Sequence, residues 1–176
     1  MDGLVLTGYT HLLSPSTVAM LEADTIPANT DPSGRFSNLD PGYLTTAPGT
    51  RGSVFYYQPG KHSDPNVIAY DEQTKQTYTA LEIAGIITFP GNLTQQINVP
   101  VLEVVGQEDA LYCGLGAVNC SSSASVLREE APYFSPSAHL QAQVIPNTGH
   151  VLNLHPTAPA TYATIIVWSK LHVPAN

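Results

Sequence analysis

The sequence predicts an α/β protein whose strands lie side by side in a parallel sheet. Three short apolar runs have the hydrophobicity of strands, and they lie at residues 3–9, 98–106 and 140–145. Helical patterns stand between and after these runs, at residues 16–23, 64–86, 122–130 and 160–171. Strands that alternate with helices along a chain are typical of a parallel sheet, because each parallel connection needs a crossover. We therefore expect about three parallel strands with flanking helices.

The strand predictions depend on residue type as well as on hydrophobicity. Residues 3–9, Gly-Leu-Val-Leu-Thr-Gly-Tyr, form a continuous apolar run of the kind found in buried parallel strands. Residues 98–106 are rich in β-branched side chains and end at Gly106. Residues 140–145 alternate apolar and polar side chains. In such sheets, functional residues lie in the loops that follow the carboxyl ends of the strands.

Capping signals and composition define the long segment between the first two strands. Residues 27–63 are rich in Pro, Gly, Ser, Thr and Asp, which predicts loops and short helical turns. Asp64 is predicted as a helix N-cap with Pro65 in the first turn. We expect this helix to continue to about Ile86, before Pro90-Gly91 closes it.

Charge and hydrophobicity exclude several classes of function. The 176 residues carry six Lys or Arg against fourteen Asp or Glu, a net charge of −8, so the basic surface that nucleic-acid binding requires is missing. No apolar stretch approaches the roughly 18 residues of a membrane-spanning helix, and no secretory signal is recognisable at the start of the chain. Charged residues make up only 11% of the chain, against about 25% in average globular proteins.

Cys113 and Cys120 are predicted to form a local disulfide. They are separated by a short segment rich in glycine, which lets the two sulfurs meet. Two free thiols are the alternative. A zinc site is not indicated, because no His or Cys flanks the pair to complete about four ligands. A disulfide would indicate an oxidising compartment and hence a secreted parent protein, while the localisation of the chain itself stays open.

Asp109 and His150 are the candidate catalytic residues. Asp109 follows the second predicted strand in the run Gly106-Gln-Glu-Asp109, and His150 follows the third in Pro146-Asn-Thr-Gly149-His150. Because the carboxyl ends of parallel strands meet at one edge of a sheet, the two side chains can hydrogen-bond, and Gly149 is expected to leave room for the ring to turn inward. A buried carboxylate fixes the imidazole tautomer and leaves the other nitrogen free as a general base. The alternatives are a turn or N-cap role for the aspartate and a hydrogen-bonded loop role for the histidine.

The ordered set of segments resembles the C-terminal half of the α/β-hydrolase fold family. The run VPVLEVVGQEDALYC is similar to the seventh strand and acid turn of that family, and VIPNTGHVLNLHP to its eighth strand and catalytic-histidine turn. The run DGLVLTGYTH is similar to its sixth strand, which leads into a cap. The chain order, acid before histidine, agrees with the family. The resemblance is nearest in character to fungal hydrolases with a long cap between the sixth and seventh strands.

This resemblance implies a domain organisation. Residues 1–10 and 99–176 would be the C-terminal part of the hydrolase core, with strands six to eight of the family. Residues 11–98 would be a helical cap or lid inserted between the sixth and seventh strands. In the parent enzyme the cap would gate an apolar pocket.

The nucleophile of that family is missing from the sequence. In the family it lies in a G-x-S-x-G turn between the fifth strand and the next helix, and no such motif occurs in these 176 residues. The serines near glycines that do not fit the motif are Ser33, Ser37 and Ser53. The resemblance therefore places the nucleophile and the oxyanion-hole loop upstream of Met1, in a missing N-terminal half that would be the partner of this chain. Asp109 and His150 would then be two members of a Ser-His-Asp triad, and we expect the chain to be inactive alone because triad members act as a unit.

The parent is expected to hydrolyse an ester or a similar acyl bond in a small apolar substrate. No cofactor motif, phosphate-binding loop or metal motif is visible in the sequence. Three interpretations stay open at this point. The chain is a fragment of such an enzyme, a non-catalytic module that binds a small ligand, or part of a parent with an Asp nucleophile of the epoxide hydrolase and dehalogenase type.

Several other side chains are expected to be structural. His11 is expected to pack against the cap, His155 to lie at the surface or cap a helix, and Trp168 to pack in the core. Glu108 is not expected to be the catalytic acid, because the position three residues after Gly106 in the turn favours Asp109. Four aromatic residues are expected in the cap core, or else lining an apolar acyl pocket, and these are Phe55, Tyr56, Tyr57 and Phe89.

Overall fold

The structure is a computed structural model that describes residues 1–13, 15–58, 60–87 and 93–173. Helices and strands occur in each of the three longer ranges. The strands of these residues are β1 (Leu4–Thr7), β2 (Thr25–Pro27), β3 (Tyr43–Thr46), β4 (Tyr78–Thr79), β5 (Val101–Gly106) and β6 (Gln141–Ile145). Their α-helices are α1 (Pro15–Ala23), α2 (Arg51–Phe55), α3 (Pro65–Thr74), α4 (Ala80–Ile87), α5 (Ser123–Glu130) and α6 (Ala158–His172). None of the helices in these ranges is both long and apolar enough to cross a membrane.

β1, β5 and β6 form a parallel sheet in the order β1-β5-β6. Leu4 lies opposite Val101 in β5, and Gly106 at the end of β5 lies opposite Ile145 in β6. All six residues of β5 are buried, as expected for a central strand that is covered on both faces. The predicted three-stranded parallel sheet with flanking helices is thus confirmed.

Helices cover the two faces of this sheet with separate apolar clusters. On one face α6 packs through the predicted core residue Trp168, in a buried cluster of Leu102, Val104, Ile145, Leu152 and Trp168. On the other face α5 packs through Val126, in a buried cluster of Val105, Val118, Cys120, Val126 and Val144. Side chains that alternate along β5 therefore point to opposite layers, which is why the strand is apolar on both faces except at Glu103.

The segment between β1 and β5, residues 11–98, is called the insert here. It contains helices, as predicted, and also a small antiparallel sheet in the order β2-β3-β4 that sequence analysis missed. Thr25 in β2 lies opposite Thr46 in β3, and Tyr43 in β3 lies opposite Thr79 in β4. Strands of two to four residues are too short to show a hydrophobic period that distinguishes them from loops.

The single helix predicted for residues 64–86 is wrong, because the chain forms two helices with β4 between them. The first begins as predicted, with the Asp64 carboxylate accepting a hydrogen bond from the Asn66 backbone N–H at 2.8 Å. The second starts with a capping box, in which Thr79 and Glu82 each accept a hydrogen bond from the backbone N–H of the other. That Thr-x-x-Glu signal was present in the sequence. Phe89 and the predicted closing turn at residues 90–91 lie outside the described residues.

Lys75 explains why α3 ends where it does. Its backbone leaves the helical conformation, and its buried ammonium group donates to the Thr46 carbonyl oxygen at 2.8 Å. The same group pairs with Asp31 at 2.8 Å and Glu72 at 2.7 Å. Although burial opposes it, hydrogen bonds from Lys75 and Ser33 lower the pKa of Asp31 to about 2. A buried ammonium is stable only when paired in this way, so contacts with remote segments override the helical pattern.

The loops after β5 and β6 lie against each other at the carboxyl edge of the sheet. The Gln107 N–H donates to the Ile145 carbonyl and the Glu108 N–H to the Thr148 carbonyl, both at 2.9 Å. A Cβ atom at Gly106 would collide with the carbonyl groups of Thr148 and Gly149. Glycine at this position therefore allows the acid and histidine loops to meet.

We expect Gly106→Ala to lower the free energy of unfolding by about 1–3 kcal/mol, the usual effect of overpacking a tight site. The control is Gly85→Ala in α4, where a Cβ would meet no atom within 4 Å. That substitution should raise the free energy of unfolding by up to about 1 kcal/mol, because alanine favours helix more than glycine does. Urea denaturation measures both values, and wild-type stability of Gly106→Ala would contradict the close approach.

Candidate active site

Asp109 is buried at the start of the loop that follows β5, with its side chain 0% exposed. Its Oδ1 accepts hydrogen bonds from the backbone N–H groups of Leu111 at 2.9 Å and Tyr112 at 3.3 Å. Its Oδ2 lies 3.0 Å from Nδ1 of His150. Asp109 therefore caps the turn through Oδ1 and contacts the histidine through Oδ2.

His150 lies in the loop after β6, and its side chain is 23% exposed. An ionised carboxylate only accepts hydrogen bonds, so Nδ1 carries the proton that faces Asp109 and the neutral ring has its lone pair on Nε2. Within the described ranges no group hydrogen-bonds this Nε2. The arrangement holds one tautomer of the ring, in which Nε2 can accept a proton.

Aromatic rings and a glycine position the His150 ring. The ring centroid of Phe55 lies 5.7 Å away, and that of Tyr112 lies 5.8 Å away in a stacked arrangement. Burial and the charge of Asp109 raise the pKa of Tyr112 to about 12, so this ring stays uncharged. A Cβ at Gly8, whose φ is +60°, would lie 3.3 Å from both Cε1 and Nδ1 of His150. Glycine at the end of β1 therefore suits both the backbone conformation and the packing of the ring.

Gly149 has a different role from the one expected. A Cβ at this position would lie 2.8 Å from the carbonyl oxygen of Phe55 and 2.9 Å from the backbone nitrogen of Tyr57. The missing side chain thus makes room for the insert rather than for the His150 ring. The Val151 N–H also donates to the Phe55 carbonyl at 3.3 Å, so the insert is attached directly to the histidine loop.

His155 was expected at the surface or at a helix cap. The surface position is wrong, whereas the residue does cap a helix, the short 3-10 helix Leu152–Leu154. The residue is only 3% exposed, and its Nε2 accepts hydrogen bonds from the Gly149 N–H at 3.1 Å and the Tyr57 N–H at 3.2 Å. Its Nδ1 donates to the Val151 carbonyl at 3.0 Å. His155 is therefore a neutral clamp between the histidine loop and the insert. The partners come from segments that are remote in sequence, so no local signal could have revealed this role.

An apolar cavity of about 170 Å³ opens beside His150, between the insert and the two loops. Its walls include Leu13, Leu21, Val54 and Phe55, and Asp24 is one of the polar residues that also line it. The lining residues of this cavity, all from the described part of the chain, include no serine or cysteine.

The four aromatic residues expected in the cap core, or else in an acyl pocket, have different surroundings. Phe55 lines the cavity, whereas Tyr56 is buried and donates its hydroxyl to Asp71 at 3.0 Å. Burial and that hydrogen bond raise the pKa of Tyr56. Tyr57 stacks on the ring of His62. Phe89 cannot be placed, since it lies outside the described residues.

Glu108 is exposed and does not contact His150, which agrees with the choice of Asp109 as the partner of the histidine. The serines that fail the nucleophile motif are exposed residues of the insert, and these are Ser33, Ser37 and Ser53. None of them lines the cavity beside His150.

The predicted disulfide between Cys113 and Cys120 is confirmed, with Cα atoms 5.6 Å apart. The Cys113 N–H donates to the Asp109 carbonyl at 3.0 Å. The disulfide loop is thus attached to the turn that holds the acid, and it restricts the motion of that turn.

Sequence analysis found no metal motif, yet the fold brings three possible ligands together. His11, Glu103 and Glu130 each offer one ligand atom, and these atoms lie within 4.8 Å of one another. His11 was expected to pack against the cap. Its side chain is 2% exposed and contacts both Thr94 of the insert and Glu130 of α5. His11 and Glu130 are 119 positions apart in the sequence, so no motif of fixed spacing could have predicted the cluster.

Comparison with known proteins bears on the fold. No protein-family model and no curated protein matches the sequence. Among solved structures, the chain is similar to a thermophilic esterase from Thermogutta terrifontis, with a TM-score of 0.54 and 19% identity. It is also similar to a monoglyceride lipase from Saccharomyces cerevisiae, with a TM-score of 0.57 and 16% identity. Both are α/β-hydrolases.

The chain has a partial α/β-hydrolase fold. The similarity covers 97% and 99% of this chain, but only 57% and 55% of the esterase and the lipase. The predicted α/β-hydrolase fold is thereby confirmed at the level of architecture. The division of the chain into core and cap, and the catalytic roles of Asp109 and His150, stay predictions.

Asp109→Asn is expected to reverse the tautomer of His150. The amide oxygen should occupy the position of Oδ1, since two backbone N–H groups donate there. The amide N–H then faces Nδ1 of His150, which must accept, so the ring proton moves to Nε2. Nitrogen-15 NMR of histidine-labelled protein distinguishes the two tautomers. Glu108→Gln, the same change at the adjacent exposed carboxyl, should leave the tautomer unchanged, and an unchanged tautomer in Asp109→Asn would refute the arrangement.

The His155 clamp should make stability depend on pH. Burial lowers the pKa of His155 in the folded chain, whereas the unfolded chain binds a proton near pH 6.5. The stabilisation is therefore complete above about pH 6.5 and is lost as the pH falls below it, by up to about 1.4 kcal/mol per pH unit.

Urea denaturation at pH 7.5 and pH 5.5 measures this effect. His155→Gln keeps an acceptor oxygen but cannot titrate, so it should lose less stability over this interval than the wild type, by about 1 kcal/mol. His139→Gln, a substitution at an exposed histidine, is the matched control and should behave as the wild type. Equal pH dependence of wild type and His155→Gln would show that the clamp does not titrate.

Proposed function

We propose that this chain is the C-terminal part of an ester hydrolase in which His150 is the general base and Asp109 its orienting acid. The observation that carries the proposal is the 3.0 Å contact between Asp109 Oδ2 and His150 Nδ1. It lies at the carboxyl ends of two adjacent parallel strands, where α/β folds place their functional residues. The same architecture occurs in an esterase and a monoglyceride lipase.

In the proposed reaction, a serine outside these 176 residues attacks the carbonyl carbon of the ester. Nε2 of His150 takes the serine proton as the new C–O bond forms, and the Asp109 carboxylate stabilises the resulting imidazolium. The imidazolium then gives its proton to the leaving alcohol. Water repeats the sequence on the acyl-enzyme and releases the acid. General base catalysis of this kind contributes about 10²–10⁴-fold to the rate.

The cavity beside His150 supports a small apolar ester as the substrate class. Its volume of about 170 Å³ suits a short acyl or alkyl group, and its walls include Leu, Val, Ile and Phe side chains. The net charge of −8 argues against a highly anionic substrate, because like charges repel at long range.

Contacts of the insert support its proposed role as a cap, residues 11–98 over a core of residues 1–10 and 99–176. Thr17 of α1 donates its hydroxyl to the Leu111 carbonyl at 2.7 Å, next to the acid. The backbone of Phe55 and Tyr57 lies against Gly149. The insert therefore touches both loops of the proposed site and forms one wall of the cavity.

The surface of β1 supports a partner that carries the nucleophile. Within the described residues β1 pairs with β5 alone, so its other edge is open. An apolar cavity of about 590 Å³ adjoins it, lined in part by Leu4, Leu6, Tyr9 and Ile97. An open edge strand beside apolar surface is typical of a face that another element covers. The proposed occupant is the N-terminal half of the hydrolase core. The disulfide supports a secreted parent, since such bonds persist in oxidising compartments.

The 176-residue chain alone is expected to hydrolyse p-nitrophenyl butyrate no faster than an Asp109→Ala/His150→Ala variant. Without a nucleophile and an oxyanion hole, the acid and base have no reacting atom to act on. Spectrophotometric release of p-nitrophenol measures the rate. Clear turnover above the double variant would overturn the proposal that the nucleophile lies elsewhere.

The coding sequence upstream of Met1 tests the proposal in a second way. An in-frame G-x-S-x-G segment supports a serine hydrolase, and His150→Ala in that longer protein should lower kcat at least about 10³-fold. An Asp in place of the Ser would indicate the Asp-nucleophile chemistry instead. An in-frame stop codon directly upstream would contradict the proposal and favour a non-catalytic module that binds a small ligand.

A further inference from the structure

A second cluster of ionisable side chains lies outside the Asp109–His150 pair. Glu103 is in the middle of β5, Glu130 is the last residue of α5, and His11 follows β1. Both glutamates are 0% exposed, and the His11 side chain is 2% exposed. One possible ligand atom from each residue lies within 4.8 Å of the others. Three ionisable groups thus share one enclosed site.

The hydrogen bonds around His11 determine where its lone pair points. The Thr94 hydroxyl donates its single hydrogen to the Tyr133 carbonyl at 2.6 Å, and its oxygen lies 3.0 Å from Nε2 of His11. Nε2 must therefore be the donor in that contact, which leaves the lone pair of the neutral ring on Nδ1. Nδ1 lies 2.6 Å from Oε2 of Glu130. Two acceptors at this distance need a proton between them, and a metal ion can take its place only when the two atoms move apart to about 3.3 Å.

The carboxylate of Glu103 also needs a proton or a metal ion beside it. As a carboxylate it has no hydrogen-bond partner for either oxygen within the described residues. The neighbouring Glu130 cannot donate, and it already accepts the His11 backbone N–H at 3.1 Å and 3.2 Å. The site therefore lacks two positive charges, which two protons or one dication would supply.

We propose that His11, Glu103 and Glu130 bind one Zn²⁺ ion. The ion replaces the proton between His11 and Glu130 and the proton on Glu103, and both protons pass to water. Two carboxylates and a neutral imidazole carry two negative charges, so the bound dication leaves the net charge of the site unchanged.

Ligand chemistry favours a transition metal at this site over Mg²⁺ or Ca²⁺. Imidazole suits Zn²⁺, whereas the two harder ions prefer oxygen ligands alone. Zinc bonds of about 2.0–2.1 Å place neighbouring ligand atoms about 3.3 Å apart, so small side-chain rotations within the 4.8 Å cluster suffice. A second carboxylate oxygen can complete four ligands. The Nε2–H contact with Thr94 is the outer hydrogen bond that metal-binding histidines usually make.

The position of the site gives the ion a structural role. It joins the start of the insert to the central strand and to the end of α5, three segments that are remote in sequence. An ion bound only by the folded chain stabilises that chain by mass action. The proposal does not depend on the hydrolase function, because none of its ligands belongs to the Asp109–His150 pair.

The test uses the 176-residue chain after EDTA treatment and dialysis. Zn²⁺ is added, bound metal is counted by mass spectrometry after gel filtration, and thermal unfolding is followed. We expect one Zn²⁺ per chain and a rise in Tm of about 5 °C or more at 100-fold excess over Kd. Mg²⁺ at the same concentration should have no such effect. Co²⁺ bound to the unmutated chain should show the visible absorption of a four-coordinate site.

Glu103→Gln is the decisive variant. It keeps the size of the side chain and supplies an N–H donor to Glu130, so in EDTA its Tm should equal or exceed that of the wild type. Its affinity for Zn²⁺ should fall at least about 100-fold. Glu22→Gln, the same change at an exposed position of α1, should still bind one ion. The proposal is overturned if the wild type retains no stoichiometric Zn²⁺, or if Glu103→Gln binds it as tightly, because the cluster then holds protons only. If Glu103→Gln does not fold, the Co²⁺ spectrum of the unmutated chain decides, and the absence of four-coordinate bands overturns the proposal.

Discussion

The buried carboxylate of Asp109 is the group on which the candidate active site depends. One oxygen holds the turn after β5 through the N–H groups of Leu111 and Tyr112, and the other holds the His150 ring. The same turn receives the insert, because Thr17 donates to the Leu111 carbonyl. A carboxylate so completely removed from water is stable only when donors surround it. Here the donors come from the loop after β5 and from the loop after β6. The carboxylate therefore has all of its donors only when the two loops are together.

Close backbone contact at the carboxyl edge of the sheet is the second requirement. Side chains are absent at Gly8, Gly106 and Gly149, where a Cβ would press on the His150 ring, on the histidine loop and on the insert respectively. His155 then connects the histidine loop to the insert, because its Nε2 accepts one backbone hydrogen bond from Gly149 and one from Tyr57. A charged ring could not accept them, so the clamp requires the neutral form that burial favours.

Two contacts between imidazole and carboxylate lie within the described part of the chain, and their surroundings differ. The ring of His150 is partly exposed and borders a cavity, and its second nitrogen is available for proton transfer. The ring of His11 is enclosed, and its second nitrogen is held by Thr94. In the enclosed cluster Glu103 adds a second carboxyl group, and neither of its oxygens has a hydrogen-bond partner within the described residues. These differences in exposure and in the contact of the second nitrogen are why we propose proton transfer at His150 and a bound cation at His11.

The sequence by itself determined the parallel sheet, the disulfide and the juxtaposition of Asp109 and His150. Each depends on a local pattern, namely an apolar run, a short glycine-rich spacing, or a polar residue directly after a strand. Only the tertiary structure decided that α3 ends at Lys75, that His155 is a buried clamp and that Glu103 belongs to a cluster with His11 and Glu130. A buried polar group takes the conformation in which its partners can reach it, and those partners come from distant parts of the chain. Their positions are known only once the fold has brought the segments together.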